Sequence, residues 1–226
     1  MRNSSSFYKK ILLVCLTLVS LTLHAQTEKV LIVSLEDTTI VHRHLGFTAI
    51  TNFKDTILRD LPLSKIIEEK LTGYLKTKFE PHIIKVPDEI KNKVYGTWGY
   101  SKEYKAWIKE AQKGYDLLIV IDNNGASNEM TNSIMPPKTS GFTSRGDSHG
   151  VFTTISFHST RISDNKKFEY YDGGNMFMNL KDFTMPEDKR TFDLQMIETI
   201  KREFIKHIDN RIKYFLVKTY LLPDLQ

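Results

Sequence analysis

The chain of 226 residues holds a single cysteine, Cys15, and none after it. A disulfide framework is therefore excluded. The roughly 200 residues that follow the amino-terminal segment have to be stable through their own core, which a domain of that size can bury. Export without disulfides fits a bacterial envelope better than a eukaryotic secretory route. Long apolar runs are missing as well. The stretch Ile11 to Leu23 falls short of the ~20 residues a membrane-spanning helix needs, and no later segment comes close. Excess charge is the third absence. Arg2, Lys9 and Lys10 carry three of the formal +5 charges, so without residues 1–25 the 32 Lys and Arg fall to 29 against 27 Asp and Glu. A domain this close to neutral has no concentrated basic face, so no nucleic-acid partner is expected.

What is present begins with a pattern for export. Arg2, Lys9 and Lys10 form a positive start, Ile11 to Leu23 an apolar centre, and Leu23-His24-Ala25 ends on a small residue. Residues 1–25 are thus expected to be a cleavable signal peptide, with the mature chain starting at Gln26 and no integral span left in it. Lipid attachment at Cys15 is not expected. Val14 is bulky where a lipobox has Gly, Ala or Ser, and processing there would leave Leu16 to Leu23 as an exposed apolar tail.

Residues 26–226 read as one α/β domain. Lys29 to Leu35 and Asp116 to Ile121 are short aliphatic runs bounded by polar residues, the pattern of strands buried on both faces. Between them, Ile67, Leu71, Tyr74 and Leu75 predict a helix over 63–78, with Pro62 at its start. Pro81 to Val86 reads as extended, and a short polar helix follows near Asp88 to Lys93. Tyr104, Trp107, Ile108 and Ala111 predict a further helix, with Ser101 as N-cap and Gly114 just past its end. Alternation of this kind implies a parallel βαβαβ core. Val151 to Ile162 and Phe168 to Met178 are β-rich and separated by Ser163-Asp164-Asn165-Lys166, so an antiparallel hairpin should extend the sheet. Leu194, Ile197, Ile200, Phe204, Ile208, Ile212 and Phe215 step by threes and fours, which predicts one long amphipathic C-terminal helix packed on the sheet, in two or three layers. Residues 36–61 give no clear pattern.

Residues 122–150 are polar, include Pro136-Pro137 and four glycines, and show no period. The segment reads as a loop longer than the about 12 to 15 residues usual in compact domains, and such loops tend to be functional. Ser127, Arg145, Asp147 and Ser148 are its candidate binding residues. Replacing Ser127 to Ser144 with a short linker is expected to leave stability little changed.

The order of elements resembles a group of bacterial envelope domains: the curli-secretion CsgG-like domains, the amino-terminal domain of the Tol-system propeller protein, and lipoprotein activators of peptidoglycan synthases. Lys29 to Leu35 is similar to their first strand, Leu63 to Val86 to their helix and second strand, and Lys102 to Ile121, with Tyr115-Asp116, to the helix leading into the next strand. The turn Asp164-Asn165-Lys166-Lys167 lacks the Thr-Gly found there. The resemblance implies a non-catalytic domain that binds or assembles with other envelope proteins, without a cofactor.

Enzymatic chemistry is the alternative. Glu36, Asp37 and Asp122 lie just past two parallel strands, the edge where open α/β sheets place their sites, and could hold Mg²⁺ in a small periplasmic hydrolase. They are also ordinary turn residues. His42 and His44 would point the same way on a strand, a spacing that a zinc pair can use, but no third ligand is evident. Gly146-Asp147-Ser148-His149 resembles the nucleophile block of GDSL hydrolases. In that family the block follows the first strand, and an Asp precedes the catalytic His by three residues; no Asp-x-x-His occurs in this chain. Catalytic roles are incomplete in every case, so a protein-binding domain is the expectation.

Overall fold

The computed structural model describes residues 27–35, 40–46, 51–58, 61–96, 99–122, 140–146, 148–170, 177–181 and 183–225. The expected signal peptide, with Cys15, lies outside them. So do Glu36, Asp37, Ser127 and Asp147.

Strand β1 (Lys29–Ser34) is buried along its aliphatic centre, as a strand covered on both faces must be. It lies between β4 (Glu80–Ile84) and β7 (Leu117–Asp122), parallel to both. Helix α1 (Leu63–Leu75) precedes β4. It buries Leu63, Ile67, Leu71 and Leu75, and ends three residues before the expected 78. The short α2 (Asp88–Lys91) and then α3 (Lys102–Ala111) lead into β7. Ser101 caps α3, its side chain accepting from the Tyr104 N–H at 3.0 Å, and Gly114 takes the left-handed φ of 81° that turns the chain into β7. Strands β10 (Ser156–Arg161) and β11 (Lys166–Tyr170) add the antiparallel hairpin next to β7. Its turn works as the residues suggested. Asp164 Oδ1 accepts from the Lys166 N–H at 3.0 Å, and Asn165 sits at φ 52°.

Helix α4 (Leu194–Lys218), capped by Asp193, buries Ile200, Phe204, Ile208, Ile212 and Phe215. It packs with α1 on one face of the sheet, around Val30, Ile32, Ile119, Ile121 and Phe157. On the other face Leu31, Val33, Leu118 and Val120 meet Trp107, Ile108 and Ala111 of α3. Three layers result. Asp209 of α4 ties the helix pair together by accepting from Lys70 Nζ and from the Tyr74 hydroxyl, each at 2.9 Å.

A second sheet departs from the sequence reading. Strands β2 (Ile40–His44), β3 (Phe53–Thr56), β8 (Ser140–Arg145), β9 (Ser148–Phe152) and β12 (Phe177–Asn179) form it in the order β12-β9-β8-β2-β3. The first sheet runs β11-β10-β7-β1-β4. Rank by rank, strands that are neighbours in the chain hold corresponding places in the two sheets: β1 and β2, β7 and β8, β10 and β9, β11 and β12.

The loop expected to reach Gly150 is corrected accordingly. Residues 140–145 and 148–152 are paired strands, so exchanging Ser127 to Ser144 for a linker would remove most of β8 from the centre of a sheet. Val151 to Ile162 is likewise not one segment, because the chain bends at Thr153–Ile155. Side chains replace the ladder at that corner. Ser140 Oγ accepts from the Thr154 N–H at 3.0 Å, and Arg211 of α4 donates to the Ile155 carbonyl at 2.8 Å.

At Gly141 the backbone of β2 lies close over β8. A Cβ there would lie 1.9 Å from the Val41 carbonyl oxygen, whereas one on Gly73, in α1, would meet nothing within 4 Å. Gly141→Ala should thus destabilise by about 2–3 kcal/mol through overpacking, while Gly73→Ala should stabilise by roughly 0.5–1 kcal/mol. Urea unfolding of the two variants beside the parent checks both signs.

Candidate functional site

Because side chains alternate along a strand, the second sheet presents two sets of residues. His42, His44, Phe142, Ser144 and His149 share its inner face. Arg43, Thr143, Arg145, Ser148 and Phe152 share its outer face.

On the inner face His42 and His44 do point the same way, as their spacing predicted, yet both imidazoles are spent on one hydroxyl. His42 Nε2 lies 3.0 Å and His44 Nδ1 2.8 Å from Ser144 Oγ. A serine has one proton, so Ser144 donates to one ring and accepts an N–H from the other. Phe53, Phe142 and Phe192 enclose His42 at ring separations of 5.1, 5.2 and 4.9 Å. Burial, reinforced by His44, pushes the His42 pKa down to about 4, and burial followed by Lys189 lowers that of His44. Both rings are held neutral.

This is a serine beside two bases, but it lacks an acyl-transfer geometry. Ser144 is 1 % exposed, and His42 Nδ1 is buried without a hydrogen-bond partner among the described residues, so no carboxylate there orients the ring. His149, opposite Ser144, packs against Phe183 at 5.4 Å. Among the described residues no group of three His, Cys, Asp or Glu side chains is placed to hold a metal ion.

Asp122 sits at the end of β7, 1 % exposed. The Tyr100 hydroxyl donates to its Oδ2 at 2.6 Å, and the Tyr95 hydroxyl donates to Oδ1. These tyrosines come from a small hairpin, β5 (Tyr95–Gly96) with β6 (Gly99–Tyr100), that the sequence did not announce. Burial, followed by the hydrogen bonds to and charge of Asp122, raises the pKa of both phenols far above the ordinary value, so they stay protonated donors. Both Asp122 oxygens are thereby engaged in packing the strand end. Whether Glu36 and Asp37 join Asp122 falls outside the described residues.

On the outer face Arg43, Leu45, Thr143, Arg145, Ser148, Phe152 and Phe177 line a hollow of about 260 Å³. Register places Arg43 beside Thr143, Arg145 beside Ser148, and Phe152 beside Phe177. Phe177 is 38 % exposed. Burial lowers the Arg43 pKa from its ordinary value, a sign that its guanidinium has lost part of its water. Two of the residues singled out in the polar segment, Arg145 and Ser148, thus meet here. Arg43 and Phe177 are the members that sequence reasoning missed. The one signal available was the alternation of His42-Arg43-His44 on a strand.

Ser148 opens β9 on this outer face, while every inner-face imidazole lies across the sheet. Among the described residues no hydrogen bond joins Ser148 to a base. Ser148→Ala is therefore expected to leave any ester hydrolysis by the purified protein unchanged, measured with a p-nitrophenyl ester. No protein-family model, no curated protein sequence and no solved structure matches the chain.

Proposed function

We propose that the protein is an exported, non-catalytic domain of a bacterial envelope, which binds or assembles with another envelope protein through the outer face of its second sheet. The observation that carries this reading is the hollow in which Arg43, Arg145 and Ser148 meet beside the exposed ring of Phe177. Partly desolvated arginine next to exposed aromatic surface is the composition of an interface centre. The hydrolase alternative is weaker on geometry. Asp122 already accepts two phenols, Ser148 has no base hydrogen-bonded to it among the described residues, and the serine that does have bases, Ser144, is sealed under aromatic rings. Export rests on the pattern of residues 1–25, and the resemblance to envelope domains points the same way.

Affinity capture from envelope extracts, with the parent and with an Arg145→Glu/Phe177→Ala variant as baits, tests this. The variant should lose the partner while its stability stays within about 1 kcal/mol, as for exposed positions generally. Mass spectrometry of the exported protein should find Gln26 at the amino terminus. A retained leader, lipid on Cys15, or undiminished capture by the variant would each remove a part of the proposal.

A further inference from the structure

We infer that residues 183–192 form a strap over the inner face of the second sheet, and that acid releases it locally, uncovering His42, His44, Ser144 and His149 while the first sheet stays folded.

The strap has no regular structure between β12 and α4. Its hydrogen bonds among the described residues are its own. The Asp188 carboxylate accepts from the Arg190 N–H at 3.1 Å and from the Thr191 hydroxyl at 2.6 Å, and the Asp188 carbonyl accepts from the Thr191 N–H at 2.9 Å. Side chains hold the strap down instead. Phe183 packs on Phe142 at 5.3 Å and on His149 at 5.4 Å, Phe192 packs on His42 at 4.9 Å, and Arg190 lies over the Phe53 ring at 4.4 Å. A segment that is docked by a few rings and shares no ladder with its sheet opens at lower cost than the sheet itself.

What it covers is polar. Nδ1 of His42 and both ring nitrogens of His149 are buried with no hydrogen-bond partner among the described residues. Water satisfies such atoms once a cover lifts, so the closed strap bears the cost of keeping them dry. Acid adds a second push. Beneath the strap His42 takes a proton only near pH 4, whereas a wetted imidazole does so near pH 6.5. At pH 5 that difference favours the open strap about thirtyfold through His42 alone.

Charges around the site work in the same direction. His44 opposes a proton on His42, and Lys189 of the strap opposes one on His44. Asp55 is paired with His42 from β3, and Glu187 and Asp188 come with the strap, yet burial outweighs these carboxylates at His42. His149 stands on β9, and α4, packed on β8 and β9, carries His207 and Arg211 as its buried titratable groups. Arg43, Lys54 and Arg145 belong to the outer face.

The test is cleavage of the purified protein by a glutamate-specific protease that works at both pH 7.5 and pH 5. Glu187 is exposed on the strap, while Glu103 and Glu110 on α3 report on the first sheet. Relative to a free peptide spanning 183–192, cutting after Glu187 should speed up about thirtyfold from pH 7.5 to pH 5. It should be insensitive to about 1 M urea, as a local opening is, and should leave Glu103 and Glu110 intact. Phe192→Ala should raise the rate about tenfold already at pH 7.5, and His42→Leu should remove most of the pH response. Cutting that rises with urea and reaches Glu103 and Glu110 together with Glu187 would mean global unfolding and would overturn the strap. An equal pH response in the parent and His42→Leu, or a rate that does not change with pH, would overturn the acid release. Either failure leaves the proposed function standing, because partner capture is read at Arg145 and Phe177.

Discussion

Between pH 7.5 and pH 4 the protein is expected to lose about 3 kcal/mol of stability through His42 alone. The unfolded imidazole takes up a proton near pH 6.5, whereas the folded one, buried and facing His44, does so only near pH 4. Across that window the unfolded chain binds a proton that the folded chain refuses, so stability is complete above 6.5 and falls as the pH drops towards 4. The span between the two values, at about 1.4 kcal/mol per unit, sets the size of the loss. The cage explains the reluctance. Nδ1 of His42 is buried with no hydrogen-bond partner among the described residues, and aromatic rings stand where water would be. Lys189 and Arg190, with Asp188, lie in the segment that brings Phe192 onto the ring, Asp55 is paired with His42 across β2 and β3, and His44 adds to any positive charge. Urea unfolding at pH 7.5, 5.5 and 4 would measure the loss. His42→Leu should flatten the profile, with the slope that remains shared by His44 and the shifted carboxylates Glu68, Asp188 and Asp209. Parallel profiles for parent and variant would show that another group sets the acid sensitivity.

Asp122→Ala is expected to cost about 3 kcal/mol, and with it roughly 10 °C in melting temperature. The carboxylate accepts from the hydroxyls of Tyr95 and Tyr100, and its removal takes that acceptor from two phenols which burial holds protonated. The Tyr104 hydroxyl, buried close by, has no hydrogen-bond partner among the described residues. Changing the whole set should behave differently. In Asp122→Leu with Tyr95→Phe and Tyr100→Phe the acceptor and both of its donors are gone together, and much of the loss should return. Calorimetry of the single and triple variants decides it: a single variant within 1 kcal/mol of the parent would mean that Asp122 is not holding the tyrosine hairpin to the sheet.

The first sheet and its helices were legible because their signals are local. Strands covered on both faces have to be aliphatic throughout, and Lys29 to Ser34 and Leu117 to Asp122 are; helix α4 repeats its apolar residues every three or four positions for five turns and more. Caps and turns are local too, which is why Ser101, Gly114 and Asp164-Asn165 stood out correctly. The second sheet gave no such signal. Ile-Val-His-Arg-His, Ser-Gly-Phe-Thr-Ser-Arg and Ser-His-Gly-Val-Phe are strands whose buried face is filled by histidine, serine and phenylalanine, and glycine stands where a neighbouring backbone or ring comes close. Such composition is that of a loop rather than of a strand. Nor does hydrophobicity mark the bend at Thr153–Ile155, where hydroxyls and Arg211 take over from the ladder.

The sequence by itself determined the parallel core, the hairpin beside it, the long carboxy-terminal helix and the export-like amino-terminal pattern, since each depends on residues a few positions apart. Only the tertiary structure decided that a second sheet repeats the strand ranks of the first, that His42 and His44 share Ser144, and that Arg43, Arg145 and Phe177 line one hollow. Those meetings join residues separated by tens to more than a hundred positions. They follow from strand register, a long-range pairing that no local window of sequence contains.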